Sequence, residues 1–385
     1  MAAYQKAATI QSILHSTPFE NCNAHTKNVF AQIRKCRTPA LGYHLYQCNE
    51  EVCKGIKYVY HSCRNRHCPS CGSSQQAEWI DDRRSELLPI NYYHVVFTLP
   101  HELNSIILGN RTQLFKLLFD ASSKTLLQFG ADKKYLGAIP GIISVLHTWG
   151  QQLSFHPHIH CIVSGGGIAT DKADKSMAWK NGIRNQDEFL FPIKAMARVY
   201  KAIFIKGVRA LIAQDKIRIQ NKKETEALLQ KIYQKDWVVY AKKPFAGPLQ
   251  VIEYLARYTH KVAISNHRIL SETENTVTMQ YKDYADKNKS KTMTLTKQEF
   301  IRRFEQHILP KHFCKIRTTG YLANRGRTQR LKTICSLMKI PPPPPKIKIP
   351  WQLRLLEQFK IVYNECPCCK QNTLKLIAVT YNDDS

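Results

Sequence analysis

Apolar and polar positions in the first half of the chain follow two periods, one typical of strands and one typical of helices. Short runs rich in aromatic and β-branched residues at 92–100, 141–150 and 158–166 predict β-strands. Apolar residues recur at helical spacing through 101–129 and 191–214. The short connector between the second and third strands predicts a hairpin. Together these elements predict an α+β fold with a ferredoxin-like core, an antiparallel sheet that carries long helices on one side.

The second half of the chain continues this mixture before its composition changes. The same criteria predict helices over 223–236, 247–263 and 297–309, and strands over 237–245, 276–284 and 291–296. A basic segment follows at 315–334. Five consecutive prolines at 341–345 predict a stiff spacer ahead of a C-terminal tail.

The charge balance indicates a polyanionic partner. The sequence has 57 Lys and Arg against 29 Asp and Glu, a formal net charge of +28. Such an excess concentrates anions near the surface and favours nucleic acid. A merely soluble basic protein is the alternative. A membrane surface is disfavoured, because we find no basic amphipathic helix with a clean apolar face, and no stretch reaches the ~18–20 apolar residues of a spanning helix.

The number and spacing of the cysteines indicate metal binding. Residues 1–22 lack the charged leader and apolar run of a secretory signal, so we expect a reducing compartment. Thirteen cysteines there favour metal ligands over disulfides. Zinc takes four tetrahedral ligands, commonly offered as two short-spaced pairs. Cys48 with Cys53 and Cys68 with Cys71 form such pairs, and the spacing predicts that these four bind one zinc ion.

Other cysteines and histidines leave further zinc sites open. Cys36, Cys63 and His67 could form a second N-terminal site, with Cys22 or His25 as the fourth ligand. Buried free thiols are the equal alternative for this group. A C-terminal knuckle at Cys366 and Cys369 has the two-residue spacing of zinc ligands. It lacks a neighbouring second pair, so Cys335 or Cys314 would have to complete it from a distance.

Arginines near these motifs are candidates for phosphate contacts. Arg64 and Arg66 lie between the N-terminal ligands, where a rigid zinc module would present them at low entropic cost. The basic segment offers four more, with a solvated basic face as the alternative reading. These four are Arg317, Arg325, Arg327 and Arg330.

Histidines at alternate positions predict a second kind of metal site. His158 and His160 would share one face of a strand, since side chains in a strand alternate between faces. Two imidazoles and one further ligand can hold a divalent ion with positions open for substrate. His147 on the partner strand is the first choice for that ligand, and Gln151, Gln152 and His156 are the alternatives. Ordinary strand histidines facing solvent are the other reading.

A pair of tyrosines supplies a candidate nucleophile. Tyr254 and Tyr258 are four residues apart and would lie on the same face of the helix predicted over 247–263. A phenol can attack a phosphodiester and form a phosphotyrosine. Arg257 and Lys261 could neutralise charge beside it. Tyrosines that pack an amphipathic helix on the sheet are the alternative reading.

Six stretches in this order resemble one family. They are CRTPALGYHLYQC, YHSCRNRHCPSC, HVVFTLPHEL, LHTWGQQLSFHPHIHCIVSGGG, YLARYTHKVAISNHRI and YLANRGR, and they span most of residues 36–340. The pattern of His-hydrophobe-His followed by a tyrosine helix resembles the HUH nucleases. More closely, the chain resembles the rolling-circle insertion-sequence transposases of the IS91 type. The resemblance implies cysteine-bound zinc that contacts DNA, a divalent ion, Mg²⁺ or Mn²⁺, at His158 and His160, and tyrosines Tyr254 and Tyr258 that nick and transfer strands.

These inferences divide the chain into four parts. We expect a zinc-binding DNA-binding domain at 1–75 and an HUH tyrosine transposase domain at 88–295. A basic helical DNA-binding region follows at 296–340, then a polyproline spacer and cysteine tail at 341–385. The related HUH initiators often have lysine before the second tyrosine, whereas this chain has Arg257.

The expected function is transposition through single-stranded DNA and hairpin element ends, by a cytoplasmic bacterial protein that joins the nucleoid when bound to DNA. Two alternatives remain open at this stage. One is a rolling-circle replication initiator or relaxase with the same chemistry, and the other is a zinc DNA-binding protein without catalytic activity.

Overall fold

The computed structural model describes residues 8–171, 173–182, 190–242, 250–251, 254, 262–342 and 349–381. The strands are β1 Tyr43–Cys48, β2 Ile56–Tyr60, β3 Tyr92–Thr98, β4 Ile139–Trp149, β5 Phe155–Thr170, β6 Met177–Asn181, β7 Val239–Lys242, β8 Ile269–Glu272, β9 Thr276–Asp283, β10 Lys289–Thr296, β11 Ile316–Gly320 and β12 Leu374–Thr380. The helices are α1 Ile10–Ser16, α2 Ala24–Lys35, α3 Gly72–Arg84, α4 Asn104–Gly109, α5 Arg111–Ala131, α6 Ile193–Ala213, α7 Lys222–Gln234, α8 Lys297–Glu305, α9 Arg327–Met338 and α10 Trp351–Phe359. Within the described residues, the mixture of helices and antiparallel strands confirms the α+β prediction.

The central sheet has the order β11-β4-β5-β3-β7, and β6 extends the far end of β5. The predicted hairpin is present as β4 and β5, which pair antiparallel. Alternation along β5 sends Ile159, Cys161 and Val163 into a large apolar core with α5 and α6. His158 and His160 therefore point to the opposite face of the sheet.

The helix predicted over 101–129 is divided in two. A 3-10 turn at His101–Leu103 and α4 precede Asn110, which has φ −137° and ψ 38° and separates α4 from α5. The Asn110 side chain donates to the carbonyls of Ile106 and Arg218, so the break is fixed by hydrogen bonds. Of the helix predicted over 247–263, the structure describes residues 250, 251, 254, 262 and 263; the first three are in helical conformation and the last two are not.

A second core joins the N-terminus to the second half of the chain. Helices α1 and α2 pack with the three-stranded sheet β10-β9-β8 and with α8. Phe30 of α2 stacks on Phe304 of α8 with ring centroids 5.7 Å apart. The basic segment expected to be helical is divided between strand β11, which is the edge of the central sheet, and helix α9.

The third sheet brings the two ends of the chain together. Strand β1 pairs with β2 on one side and with β12 on the other, in the order β12-β1-β2. The C-terminal tail is thus part of the same sheet as the N-terminal cysteine segment. No helix among the described residues is long and apolar enough to cross a membrane.

Candidate functional site

Three histidines converge on the sheet face opposite α5 and α6. His147 of β4 stands directly across from His158 of β5, and His160 follows two residues later on the same face. The His147 Nδ1 and His158 Nε2 atoms are 3.1 Å apart, and the His158 and His160 rings are 4.8 Å apart between centroids. One ring nitrogen from each lies within 4.8 Å of the others. This group, named here the histidine cluster, includes the residue that the sequence favoured as third ligand.

Burial keeps these imidazoles neutral, which is the form that coordinates metal. Desolvation lowers the pKa of His158 to about 4 and holds the pKa of His147 and His160 well below the usual value. The His158 Nδ1 lies 2.6 Å from the carbonyl oxygen of His156. A proton on Nδ1 makes that hydrogen bond, so Nε2 presents its lone pair to the cluster. The donor set fits a divalent cation.

His94 of β3 is a site residue that sequence reasoning missed. Its Nε2 lies 2.9 Å from His160 Nδ1, and the two rings stack with centroids 5.1 Å apart. Because Nδ1 makes this contact, Nε2 is the His160 nitrogen that would bind an ion. A histidine inside the otherwise apolar strand YYHVVFT was the available signal, because such a side chain is buried with a polar partner.

Tyr254 stands beside the histidine cluster. Its ring contacts His94 edge to face, with centroids 5.0 Å apart and planes at 71°. It is half-buried and has helical backbone conformation. His94 therefore contacts the tyrosine with its ring and His160 with its Nε2. Tyr258, Arg257 and Lys261 lie outside the described residues.

Gln151, Gln152 and His156, the alternatives to His147 as third ligand, lie at or near the β4–β5 turn. His156 is half-buried and does not belong to the histidine cluster. The Gln151 amide donates to the Tyr284 hydroxyl at 2.8 Å. Gln152 offers its backbone carbonyl to Arg303 at 3.0 Å.

Four thiols form a compact group, the first cysteine cluster, made of Cys36, Cys63, Cys68 and Cys71. The Sγ atom of Cys36 lies 3.5 Å from the Sγ atom of Cys71 and 3.6 Å from that of Cys68. Four sulfurs bound tetrahedrally to zinc at ~2.3 Å stand ~3.8 Å apart. A disulfide would need ~2.05 Å. Hydrogen bonds from the other three thiols lower the pKa of Cys71, in keeping with a shared thiolate site.

The structure separates the four cysteines that spacing predicts as one zinc site. Cys68 and Cys71 belong to the first cysteine cluster. Cys48 and Cys53 instead meet the C-terminal knuckle, in a second cysteine cluster completed by Cys366 and Cys369. The predicted grouping is corrected because chain spacing identifies a ligand pair but not which pairs the fold brings together.

The remaining candidate zinc ligands stand outside both clusters. His67 is buried, and its Nε2 accepts a hydrogen bond from the Leu309 amide at 3.3 Å, so this ring nitrogen is already used within the protein. The His25 Nε2 lies 3.0 Å from the Leu309 carbonyl. Burial raises the pKa of the Cys22 thiol to about 11, which disfavours a metal-binding thiolate. Neither Cys314 nor Cys335 joins the C-terminal knuckle.

The arginines proposed for phosphate contacts fall into two groups. Arg317 lies over the Phe119 ring at 4.4 Å, Arg327 pairs with Glu86 at 2.7 Å, and Arg330 donates to the Tyr321 carbonyl. Arg66 donates to the carbonyls of Phe313 and Pro310. Arg64 and Arg325 are exposed.

Comparison with known proteins identifies the class. A family model described as "Transposase zinc-binding domain" matches residues 6–99, and one described as "Putative transposase" matches residues 141–330. The chain is 38% identical over 368 residues to "Putative transposase y4qJ" of Sinorhizobium fredii, covering 92% of this chain and 89% of that protein. It is 29% identical over 316 residues to "Transposase for insertion sequence element IS801" of Pseudomonas savastanoi, covering 82% and 74%. No solved structure gives a significant match.

These matches define a transposase. Within that class, the chain belongs to the IS91-type family, whose members carry an N-terminal zinc-binding domain. The family resemblance stated from the sequence is confirmed.

Proposed function

We propose that this transposase cuts and joins single-stranded DNA by tyrosine attack on a phosphodiester beside the histidine cluster. The phenolic oxygen forms a bond to phosphorus, and the bond from phosphorus to the 3′ oxygen breaks. The DNA downstream of the cut stays attached through its 5′ phosphate as a 5′-phosphotyrosine, the phenol gives up its proton, and the departing 3′ oxygen takes up a proton. Attack by another 3′-OH reverses the step and joins strands. The free 3′-OH can prime strand-displacing synthesis, which fits rolling-circle transposition of an insertion sequence.

The observation that carries this proposal is the proximity of Tyr254 to three clustered histidines. His147, His158 and His160 would bind the divalent ion, which would polarise the scissile phosphate. Imidazole suits Mn²⁺ better than Mg²⁺, which prefers oxygen ligands. Since no carboxylate of the described residues joins the histidine cluster, we expect Mn²⁺ to support cleavage at lower concentration than Mg²⁺.

Protein side chains would position the reacting groups. His94 holds His160 through its 2.9 Å contact and restricts the Tyr254 ring through the edge-to-face contact. Fixing both the ligand and the nucleophile lowers the entropic cost of reaching the attack geometry. Tyr258 is proposed as the nucleophile for the second strand transfer. Arg257 and Lys261 are proposed to stabilise phosphate charge.

The cysteine-rich region would hold the DNA. We assign one structural Zn²⁺ to the first cysteine cluster, within the segment that matches the zinc-binding family model. Arg64, which directly follows Cys63, is exposed and would be presented to phosphates by that rigid module. Arg325 would contribute on the basic segment.

Formation of a covalent protein–DNA adduct tests the chemistry. The full-length protein is incubated with labelled single-stranded DNA from an element end and Mn²⁺ or Mg²⁺, and adducts are separated under denaturing conditions. The wild type and Tyr233→Phe, which changes an exposed tyrosine on α7, are expected to form an adduct. At least one of Tyr254→Phe and Tyr258→Phe should not. Normal adduct formation by both variants and by the double variant would place the nucleophile elsewhere.

The joining step separates this proposal from its alternatives. A transposase should also join the cleaved end to a second strand and excise an element from a donor plasmid. Cleavage without excision would favour a replication initiator or relaxase. Binding without metal-dependent cleavage would favour a DNA-binding protein.

A further inference from the structure

We propose that the second cysteine cluster binds a second structural Zn²⁺, which fastens the C-terminal segment to the N-terminal sheet. Its ligands would be Cys48, Cys53, Cys366 and Cys369. Two of them lie beyond the segments matched by either family model. The inference concerns protein architecture and does not depend on the tyrosine chemistry.

The sulfur positions match a tetrahedral zinc site. The Sγ atoms of Cys48 and Cys369 are 3.7 Å apart, and those of Cys53 and Cys366 are also 3.7 Å apart. All four lie within 4.8 Å of one another. Zinc–sulfur bonds of ~2.3 Å at tetrahedral angles place sulfurs ~3.8 Å apart. None of the four forms a disulfide, so the thiols remain available to a metal.

The backbone around the sulfurs has the form of two zinc knuckles. Lys54 follows Cys53 with φ 43°, and Lys370 follows Cys369 with φ 62°, both in the left-handed region that side chains usually avoid. After each turn, the amide of the next residue, Gly55 or Gln371, donates to the cysteine Sγ. Amide donors stabilise thiolates, which are the ligands of zinc. Ordinary buried thiols do not require such turns.

The first cysteine cluster supplies an internal comparison. Arg37 follows Cys36 with φ 56°, and Arg64 follows Cys63 with φ 51°. The amide of Asn65 donates to the Cys63 Sγ in the same arrangement. The two clusters thus share a local backbone geometry although they lie in different parts of the molecule.

Strand pairing sets the position of the second cluster. Cys48 ends β1 opposite Leu374, and the Asn49 amide donates to the Thr373 carbonyl at 3.0 Å. The Thr373 hydroxyl lies 3.1 Å from the Cys48 Sγ. Gly55 packs so closely on the knuckle that an added Cβ would lie 3.0 Å from the Cys366 Sγ. The two knuckles are therefore held face to face.

Apolar burial alone does not account for the stability of this sheet. Leu376 and Ile377 of β12 are each about half exposed, and so are Ile56 and Tyr58 of β2. The buried cluster around the cysteines adds little beyond the thiols and Leu374. Small units with such limited cores commonly depend on a metal, whose binding energy becomes folding energy. A zinc ion here would tie residues 48–53 to residues 366–369.

Metal content of the full-length protein tests this inference. The metal analyses use a His158→Ala/His160→Ala background, so that the histidine cluster does not contribute bound zinc. This background should contain two Zn²⁺ per chain after dialysis. Cys366→Ser/Cys369→Ser should contain one, and Cys36→Ser/Cys71→Ser should also contain one. Cys368→Ser, which changes the exposed cysteine inside the same knuckle, should retain two.

Two results would overturn the proposal. One is a single Zn²⁺ per chain in the background protein, and the other is two in Cys366→Ser/Cys369→Ser. Hydrogen exchange on the wild type covers the case in which a variant does not fold. Removing zinc with a chelator should make the β12 amides exchange at least tenfold faster while β4 and β5 keep their protection. Unchanged protection of β12 in the zinc-free protein would also contradict the proposal.

Discussion

The histidine cluster and the two cysteine clusters are assembled in different ways. His147 and His158 are eleven residues apart on the strands of one hairpin, so local pairing brings them together. Cys36 and Cys71 are 35 residues apart, and Cys48 and Cys369 are 321 residues apart. The histidine cluster needs only the register of one strand pair. The first cysteine cluster draws its four thiols from residues 36–71, whereas the second needs both ends of the chain to meet.

This difference explains which ligand sets could be predicted. Alternation within β5 and the short β4–β5 loop predicted that His158, His160 and His147 lie together, and the structure brings them together; their binding of a metal ion stays a prediction. For the cysteines, spacing predicted that Cys48, Cys53, Cys68 and Cys71 share one site, and the structure places these two pairs in different clusters. The pairing is decided by β12 adding to β1, a contact with no local signal in the sequence. Metal sites formed within one hairpin are therefore better candidates for prediction from a single sequence.

The largest effect on activity is expected from the histidine cluster. His158→Ala should reduce adduct formation below detection, because it removes a ligand of the ion proposed to polarise the phosphate. DNA affinity and the zinc content of the cysteine clusters should stay close to those of the wild type, since the change is confined to one hairpin. Adduct yield, filter binding and metal analysis measure the three quantities.

His156→Ala is the matched control, since it removes a histidine of the same strand that lies outside the cluster. It should retain adduct formation within a fewfold of the wild type. If it were as inactive as His158→Ala, the assignment of the three ligands would need revision.

A cysteine of the first cluster should affect the fold itself. Cys36→Ser removes a ligand that lies in the core formed by α1, α2 and α8. Structural zinc supplies on the order of 10 kcal/mol in small zinc domains, so the packing of α1 and α2 should be lost and DNA binding with it, while the second cysteine cluster should keep its zinc. Thermal unfolding and zinc content measure the loss. The control Cys22→Ser changes a buried thiol outside the clusters, so this variant should contain as much zinc as the wild type. Equal metal loss in both variants would contradict the assignment.

The fold could also be predicted where it depends on residues close together in the sequence, and not where it depends on distant contacts. The hairpin β4–β5 and the long helix α6 were predicted, because periodicity over ten or more residues identifies such elements. The break at Asn110 was not predicted, since its cause is a contact with the carbonyl of Arg218, which is distant in sequence. His94 was missed for a similar reason. Its partner, His160, lies on a neighbouring strand 66 residues away.

His94 tests whether the proposed catalytic site extends beyond the hairpin. His94→Ala should lower adduct formation by about 10–100-fold, the usual cost of removing a residue that orients a metal ligand. Mn²⁺ affinity should fall in parallel if His94 acts by holding His160. His94→Gln can keep a hydrogen bond to His160 and should recover part of the activity. Equal activity of the wild type, His94→Ala and His94→Gln would limit the site to β4, β5 and the tyrosines.

The smallest effects on DNA binding are expected from single arginines, and they should distinguish an exposed arginine from one that already forms a salt bridge within the protein. Arg325 is exposed, so Arg325→Ala should leave stability unchanged and reduce the salt dependence of single-stranded DNA binding by about 0.7 in log–log slope.

Arg327 pairs with the buried Glu86, which also contacts Arg83 at 3.1 Å. Arg327→Ala should therefore cost about 1–3 kcal/mol of stability, because the buried Glu86 loses a charged partner. Its salt slope should match that of the wild type. DNA titrations at several salt concentrations, together with denaturant unfolding, measure both quantities. A lower slope for Arg327→Ala with no loss of stability would mean that Arg327 leaves Glu86 to contact DNA.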